Sequence, residues 1–449
     1  MTSTTSRSDS PHLALQPDAD TSVSFLARLK ENHLVSSSLY LILNSGLQAG
    51  AGLVFWIIST HVFSVSDVGL ATSLVSAALV IGFVAILGLN STMVRYLPGA
   101  RNRSERNERS VLITSSLLIV GALAGVIAAG YVFLIPVISP KLDFVTHNTL
   151  RTVAFIVLAS AGALNLLTDA IFIGLRKARY NTLIDGGFGG VTKLVSAVVV
   201  AGSGAFGLFF ASSIGYTVAA LCSLVFLALD PHFRPVVRGT GNVLKRLVRF
   251  SGANYIGNLL ALLPAWVVPL IVLDRIGVHS TAYYYIAYQI VALLYAAVFA
   301  VEQSFLAEGS HDDANLRRTM RRSWRLLALL CVPATLVLTV SAHWLLLVFG
   351  GSYSARGTWI LIILTLATLP LAVFDWLLTV LRLTGQLSAI ITSNVVFAVS
   401  TCGLAWVLAP HGISVMALAS PLGLVAASLT AAIPALRWAR RHPAEASRA

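Results

Sequence analysis

Long apolar runs separated by short polar gaps dominate the chain from about residue 34 onward. The hydrocarbon core of a bilayer is about 30 Å thick, and a helix needs about 20 residues to cross it. An α-helix satisfies all of its backbone hydrogen bonds inside lipid, so the predicted fold class is all-α integral membrane. Runs of sufficient length predict twelve membrane-spanning helices, near residues 36–60, 69–92, 111–138, 152–175, 184–203, 206–229, 251–273, 281–304, 326–349, 357–381, 388–408 and 412–436.

The two halves of this pattern resemble each other. Residues 34–91 align with residues 247–304 at an offset of 213, and each copy has an asparagine early in its first span, Asn44 and Asn258. The ends of the fourth and tenth spans resemble each other more closely than these segments do, because Asp169 and Asp375 are each followed seven positions later by an arginine. This repeat predicts two six-helix lobes of the same orientation, related by an axis along the membrane normal, with a pathway between them.

The repeat also sets the expected domain boundaries. We expect a disordered cytosolic N-terminal tail over residues 1–33, because that segment is rich in serine, threonine and aspartate. The further expected segments are an N-lobe at 34–230, a cytosolic linker at 231–250, a C-lobe at 251–437 and a cytosolic tail at 438–449.

Composition and charge agree with a membrane protein. The 449 residues are 57% apolar and only 11% charged, with a mean hydropathy of +0.82, whereas soluble domains have about 25% charged residues. The net charge of +13 could suit a nucleic-acid partner, but the basic residues lie in gaps between apolar runs. Of 31 basic residues, 26 fall on one predicted side and four on the other. The positive-inside rule therefore predicts a multi-pass inner (plasma) membrane protein with both termini cytosolic and no nucleic-acid partner.

Charged residues inside the predicted spans are candidates for function, since ionisable groups are costly at bilayer depth. At a rise of about 1.5 Å per residue, Asp169 and Lys193 lie at similar depths in neighbouring spans. Two interpretations remain open: a mutually neutralising ion pair, or a cation that faces a pathway for an anionic substrate. Asp375 has no matching lysine; we expect Arg382 to snorkel to the lipid surface and Glu302 to have an interfacial structural role.

Several segments resemble a known family. Residues 65–73 (VSDVGLATS) and 87–98 (LGLNSTMVRYLP) are similar to the first hairpin of Wzx-type polysaccharide flippases, and residues 251–258, 283–288 and 305–309 extend the similarity into the second half. These flippases belong to the multidrug/oligosaccharidyl-lipid/polysaccharide (MOP) exporter superfamily. The resemblance spans about residues 34–436. It implies a MATE-like pair of six-helix lobes, alternating access, and a polyprenyl-diphosphate-linked oligosaccharide as substrate.

The resemblance also implies basic residues in the central cavity, and here the chain departs from the family. Only Lys193 is clearly basic within the spans, while Arg95, Arg151 and Arg275 lie at their edges. The pathway candidates are therefore Lys193, Asp169, Asp375, Arg95, Asn44 and Asn258.

Other functions remain as alternatives. A drug/cation antiporter of the same superfamily would use Asp169 and Asp375 for ion coupling. A membrane glycosyltransferase or polymerase would need catalytic groups on a sizeable outer loop, and every predicted outer loop is short. No nucleotide-binding glycine motif and no metal-ligand spacing occurs, so we expect no cofactor, no metal and no catalytic site. The expected partners are a lipid-linked glycan and the bilayer, with a polysaccharide polymerase or glycosyltransferases as further candidates.

Overall fold

The computed structural model describes residues 33–98, 103–231, 233–236, 240–309 and 316–441, and within these ranges all regular secondary structure is helical. The predicted N-terminal tail thus lies outside the described residues, apart from the first residue of α1. The first half contains α1 His33–Val62, α2 Val65–Ala85, α3 Leu89–Tyr96, α4 Arg103–Ile138, α5 Thr149–Gly174, α6 Ala178–Asn181, a π-helical segment Thr182–Gly189, α7 Gly190–Val199 and α8 Gly204–Ala228. The second half contains α9 Thr240–Arg275, α10 Val278–Gly309, α11 Leu316–Leu347, α12 Gly351–Leu366, α13 Thr368–Leu383, α14 Leu387–Leu408, α15 Ile413–Ala417 and α16 Ala419–Arg441.

Eleven helices in the described ranges are long and apolar enough to cross a membrane. They coincide with the second to twelfth predicted spans, and α12 with α13 forms one of them. The first predicted span coincides with α1, which is not among the eleven. Asn44, Gln48 and three glycines make the middle of α1 less apolar than the other helices. The all-helical membrane fold is confirmed, whereas the count of twelve is not.

The predicted linker is shorter than expected. Residues 240–250, which the sequence analysis placed in the linker, form the start of α9, and α16 continues past the predicted C-lobe boundary to Arg441. The turn between α7 and α8 lies where the sequence predicts it. Gly202 (φ 81°) and Gly204 (φ 69°) both adopt a left-handed conformation there, which glycine does without steric cost.

The helices of each half pack against one another. In the first half α5 packs against α4 and α8, with Phe155 buried between Tyr131 of α4 and Phe209 of α8 at ring-centroid distances of 5.9 and 5.4 Å. In the second half α14 packs between α9 and α16, while α10 contacts α11, α12 and α13. We call these two groups of helices the N-lobe and the C-lobe.

The lobes meet along α2, which contacts both α9 and α10. We call the end of the bundle that contains the turns at Arg176 and Arg382 the basic face, and the end that contains Val278 the opposite face. The lobes are in close contact at the opposite face. The Cα of Gly69 lies so near the carbonyl group of Val278 that any β-carbon at position 69 would overlap the carbonyl oxygen.

Each lobe also caps a helix of the other. Lys141 of the N-lobe donates hydrogen bonds to the carbonyl oxygens of Leu273 (2.6 Å) and Asp274 (2.9 Å) at the C-terminus of α9. Tyr255 of the C-lobe lies 3.0 and 2.9 Å from the carbonyl oxygens of Phe83 and Val84, at the C-terminus of α2. The last carbonyl groups of a helix have no partner within it, so each contact satisfies groups that would otherwise be orphaned.

Candidate functional site

The largest described cavity lies between the lobes. It has a volume of 570 Å³, within the range of about 300–1,000 Å³ that is typical of ligand pockets. The N-lobe contributes the turn between α2 and α3, and the C-lobe contributes α9, α10, α13, α14 and α16. Leu87 and Gly88 in that turn have positive φ angles of 48° and 75°. This left-handed turn ends α2 and directs α3 away, which exposes Asn90 and Ser91 to the cavity.

Tyrosine side chains form much of the cavity wall. Tyr284, Tyr288 and Tyr295 are on α10, with centroid distances of 6.5 Å for the first pair and 6.2 Å for the second. Tyr255 lines the cavity from α9. A phenol ring presents an apolar face together with a polar hydroxyl, so this wall suits a ligand with both kinds of surface. The sequence analysis cited part of this tyrosine run only for the resemblance and did not identify the wall.

Three charged side chains line the same cavity: Glu302, Asp375 and Arg382. Glu302 is 3% exposed, accepts a hydrogen bond from Thr379 (3.0 Å) and forms an ion pair with Arg382. The predicted pathway residue Asp375 lies half-buried in the wall. The expectation that Arg382 snorkels to the lipid surface is wrong, because a buried carboxylate lies within reach of its guanidinium. Glu302 lines the cavity, and its interfacial structural role stays a prediction.

The N-lobe contains a second acidic pair. Asp169 and Asp185 lie close enough to interact electrostatically, and Asn165 donates a hydrogen bond of 3.1 Å to Asp185 Oδ1. Asp169 Oδ1 and Asp185 Oδ2 are buried without a hydrogen-bond partner among the described residues. A carboxylate only accepts hydrogen bonds, so a direct hydrogen bond between the two groups would require a proton on one of them. Asp185 lies near the start of the fifth predicted span and is 6% exposed in the middle of the π-helical segment.

Of the two interpretations left open for Lys193, the structure does not show the ion pair with Asp169. The ammonium group of Lys193 lies 4.8 Å from the ring centroid of Phe55 and 5.5 Å from that of Tyr216, which are cation–π distances. Lys193 and Asp185 line a small pocket, whereas Asp169 lines a separate N-lobe cavity of 160 Å³. Neither cavity is the one between the lobes.

The two predicted asparagines have different surroundings. Asn44 is 7% exposed and lies against the π-helical segment, with Oδ1 3.5 Å from where a β-carbon of residue 186 would be. Asn258 is exposed and lines the cavity between the lobes. Arg95 is exposed at the end of α3, 5.9 Å from the ring centroid of Tyr96, and is not among the residues that line the cavity. The structure therefore brings Asn258 and Asp375 together in one cavity and leaves the other predicted residues outside it.

The π-helical segment Thr182–Gly189 is also unpredicted. π-Turns are rare and occur frequently at functional sites. Two of its three glycines lie in close contacts: a β-carbon at 186 would meet Leu47 at 3.0 Å, and one at 189 would meet the carbonyl oxygen of Gly215 at 3.1 Å. The segment packs tightly against α1 and α8 for this reason. An acidic residue within a predicted span, Asp185, was the only signal for it in the sequence.

Comparison with known proteins agrees with this geometry. A sequence profile of the family described as "Polysaccharide biosynthesis protein" matches residues 60–356. No curated protein matches the sequence significantly.

Solved structures of MOP-superfamily proteins share the fold. An inward-facing multidrug-resistance MATE family transporter is similar with a TM-score of 0.69 and 14% identity, over 91% of this chain and 99% of that one. The lipid II flippase MurJ in an inward closed conformation has a TM-score of 0.67 and 13% sequence identity, over 88% of this chain and 87% of that one. An outward-facing MATE structure has a TM-score of 0.57 and 14% identity, over 91% of this chain and 95% of that one. The predicted MOP fold is thus confirmed.

Proposed function

Since this chain belongs to the polysaccharide biosynthesis protein family, we propose that it is a flippase for a polyprenyl-diphosphate-linked oligosaccharide, a precursor of a cell-surface polysaccharide. The observation that carries the proposal is the 570 Å³ cavity between the lobes, with its wall of tyrosines and its polar residues Asn90, Ser91 and Asn258. The protein moves its substrate and makes or breaks no covalent bond in it.

The cavity addresses the main physical barrier to flipping. A glycan that crosses hydrocarbon unaided leaves its hydroxyl groups without partners, at about 2–7 kcal/mol for each group. The hydroxyl groups of Tyr255 and Tyr295 already contact backbone carbonyls, so the polar residues Asn90, Ser91 and Asn258 are the groups that would replace part of the lost hydration. The apolar faces of Tyr284 and Tyr288 and of neighbouring residues bind without a fixed pattern of hydrogen bonds, which suits a substrate that must also leave.

The described conformation is proposed to be the one open to the cytosol. The basic face contains the greater number of arginine and lysine residues, so it is the cytosolic side in our proposal, with both termini cytosolic and the protein in the plasma membrane. Closure at the opposite face by Gly69, Val278 and Lys141 supports this assignment. The higher TM-score against the inward-facing MATE structure than against the outward-facing one also supports it.

Alternating access follows as a rocking of two units. We retain the proposed lobes at 34–230 and 251–437, with residues 233–236 as a described non-helical part of the linker. Outward opening must break the contacts of Lys141 with α9, while closure over the cavity can retain the contact of Tyr255 with α2. The lobes also share apolar contacts, with the ring centroids of Trp56 and Tyr285 5.1 Å apart and those of Phe83 and Trp266 4.2 Å apart, so the exchange of the two states must rearrange these contacts as well as the polar ones.

The acidic pair of the N-lobe favours a second candidate function. Asp169 and Asp185 hold their carboxyl groups together in a buried site, which can exchange a proton or a cation. Such a site would couple glycan flipping to an ion gradient, and it would equally serve an ion-coupled drug antiporter. Lys193 remains a pathway candidate in both cases, because it lines one small pocket together with Asp185 and residues of α1.

The deciding experiment is to delete the gene and identify the lipid-linked oligosaccharide that accumulates on the cytosolic leaflet. Purified protein in vesicles should then restore access of that lipid to an external glycan-cleaving enzyme, and an Asp169→Asn variant should do so more slowly. Dye efflux that is lost in Asp169→Asn, without any lipid-linked intermediate accumulating, would contradict the flippase and support the antiporter.

A further inference from the structure

A second, smaller opening adjoins the cavity at the basic face. This groove of 190 Å³ lies between α9 and the start of α14 and shares Asn258 and Arg382 with the cavity. Its apolar side consists of Leu381, Leu387, Ile390 and Ile391, and Leu387 is 47% exposed. The remaining lining residues are Gly257, Gly385 and Asn394. The groove therefore connects a polar cavity to an apolar surface.

Charge is distributed unequally between the two openings. Glu302 and Asp375 both line the cavity, and neither lines the groove. Among the nine residues that line the groove, Arg382 alone is charged. The guanidinium thus lies between two carboxyl groups, Glu302 and Asp375, on the cavity side and an opening without any carboxylate among its lining residues on the other. An anion in the groove meets the guanidinium without a carboxylate among the groove's own lining residues, whereas an anion in the cavity also meets both carboxyl groups.

Hydrogen-bond donors are available on the groove side. A guanidinium has five N–H groups, and in the described part of the chain Arg382 uses Nη1 to contact Glu302. Asn394 is 2% exposed and forms no hydrogen bond with any described residue; its Oδ1 is buried without a partner. An amide that can turn either its oxygen or its NH₂ towards the groove is a ready second donor. Buried polar side chains are rarely left unpaired without a reason.

We propose that this groove binds the diphosphate of the lipid-linked substrate on Arg382 and Asn394, while the glycan occupies the cavity. The inference rests on the proposed function and deepens it. The polyprenyl chain leaves the groove across Leu387 and Ile391 into the lipid. Glu302 and Thr379 act as positioning residues, since they hold the guanidinium at the junction. Arg382, which lines both openings, is then the basic residue that meets the diphosphate.

Direct binding tests the site without any transport. The full chain is placed in nanodiscs of zwitterionic lipid, and binding of farnesyl diphosphate is titrated by the change in intrinsic tryptophan fluorescence. Arg382→Gln should weaken binding about 10- to 100-fold, the range expected for losing a hydrogen bond to a charged group. The affinity of Arg382→Lys should lie between those of the wild type and Arg382→Gln, because an ammonium cannot form the same paired contacts as a guanidinium. Asn394→Leu should weaken binding several-fold.

The repeat supplies a matched control. Arg176 follows Asp169 as Arg382 follows Asp375, but it is exposed and lines neither opening. Arg176→Gln should bind farnesyl diphosphate as the wild type does. The double variant Arg382→Gln with Glu302→Gln avoids an unpaired buried carboxylate, and size-exclusion chromatography checks that each variant is folded.

The outcomes separate the possible failures. Equal binding of farnesol, or equal effects of Arg176→Gln and Arg382→Gln, would overturn the diphosphate site even if the protein flips lipid-linked oligosaccharide. Competition by phosphatidylglycerol as strong as that by inorganic pyrophosphate would assign the groove to a lipid headgroup and overturn the proposal as well. Retained Arg382-dependent binding in a protein that does not flip glycan would refute the flippase and leave the diphosphate site intact.

Discussion

The contact of Gly69 with Val278 provides a direct test of how the lobes close. Substituting Gly69 by alanine adds a β-carbon that overlaps the carbonyl oxygen and lies 2.9 Å from the carbonyl carbon. The obstructing atoms belong to the backbone of α10, so they cannot rotate away as a flexible side chain would. The strain acts only while the opposite face is closed, and it should therefore favour the conformation open at that face.

The size of the shift follows from the overlap. Overpacking by one methyl group costs about 1–3 kcal/mol. Because 1.4 kcal/mol corresponds to a factor of ten, the closed population should fall relative to the open one by roughly 5- to 150-fold. Alanine also gains about 1 kcal/mol of helix propensity over glycine. Gly130→Ala controls for that gain, since a β-carbon there meets nothing within 4 Å.

Distance measurements between spin labels can detect this shift. Labels on cysteines that replace His61 and His279, both exposed near the opposite face, report the separation of the lobes in a background without the three native cysteines. Gly69→Ala should increase the population at longer distance, whereas Gly130→Ala should leave the distribution unchanged. Identical distributions for the two variants would refute the reasoning that this contact limits opening.

Three further changes test other parts of the structure. Glu302→Ala should lower the free energy of unfolding in detergent by about 3 kcal/mol. This is the lower end of the range for breaking a buried ion pair, because the Arg382 side chain is 31% exposed. A thermal unfolding curve that matches that of Glu302→Gln would argue against this role of the charge. Ser64→Ala removes the hydroxyl that accepts a hydrogen bond from the Asp67 amide and caps α2. It should lower the free energy of unfolding by about 1 kcal/mol in the same assay, and an unchanged value would mean that the cap does not stabilise the protein. Lys193→Ala should reduce flipping in vesicles while the protein still inserts, and unchanged flipping would remove Lys193 from the pathway.

The order of the helices was predictable because it depends on hydropathy alone. Spans of about 20 apolar residues fix where each helix runs, and the repeat around Asp169 and Asp375 indicated the two halves. The α1 helix shows the limit of this reasoning. Its polar residues Asn44 and Gln48 are buried and half-buried against protein, so they need not face lipid, although most residues around them are exposed.

The details of the site were less predictable, since depth does not determine which face of a helix a residue occupies. Asp169 and Lys193 were placed at similar depths from the helical rise, yet Lys193 points towards Phe55 and Tyr216. The calculation assumed a regular α-helix through a segment that is π-helical. The partner of Arg382 could not be found by sequence distance either, because Glu302 is 80 residues away on α10.

The wide turns at Thr182–Gly189 allow a motion that a regular helix would resist. A π-helical turn contains more residues than an α-helical turn. The segment can therefore convert to α-helix by moving each hydrogen bond to the carbonyl group one residue nearer, and the backbone groups stay paired. Tightening would rotate α7 about its own axis and carry Lys193 off the rings it now covers. The π-helical segment contains Asp185 of the acidic pair and directly precedes α7. A change of charge at the pair would in this way rotate α7.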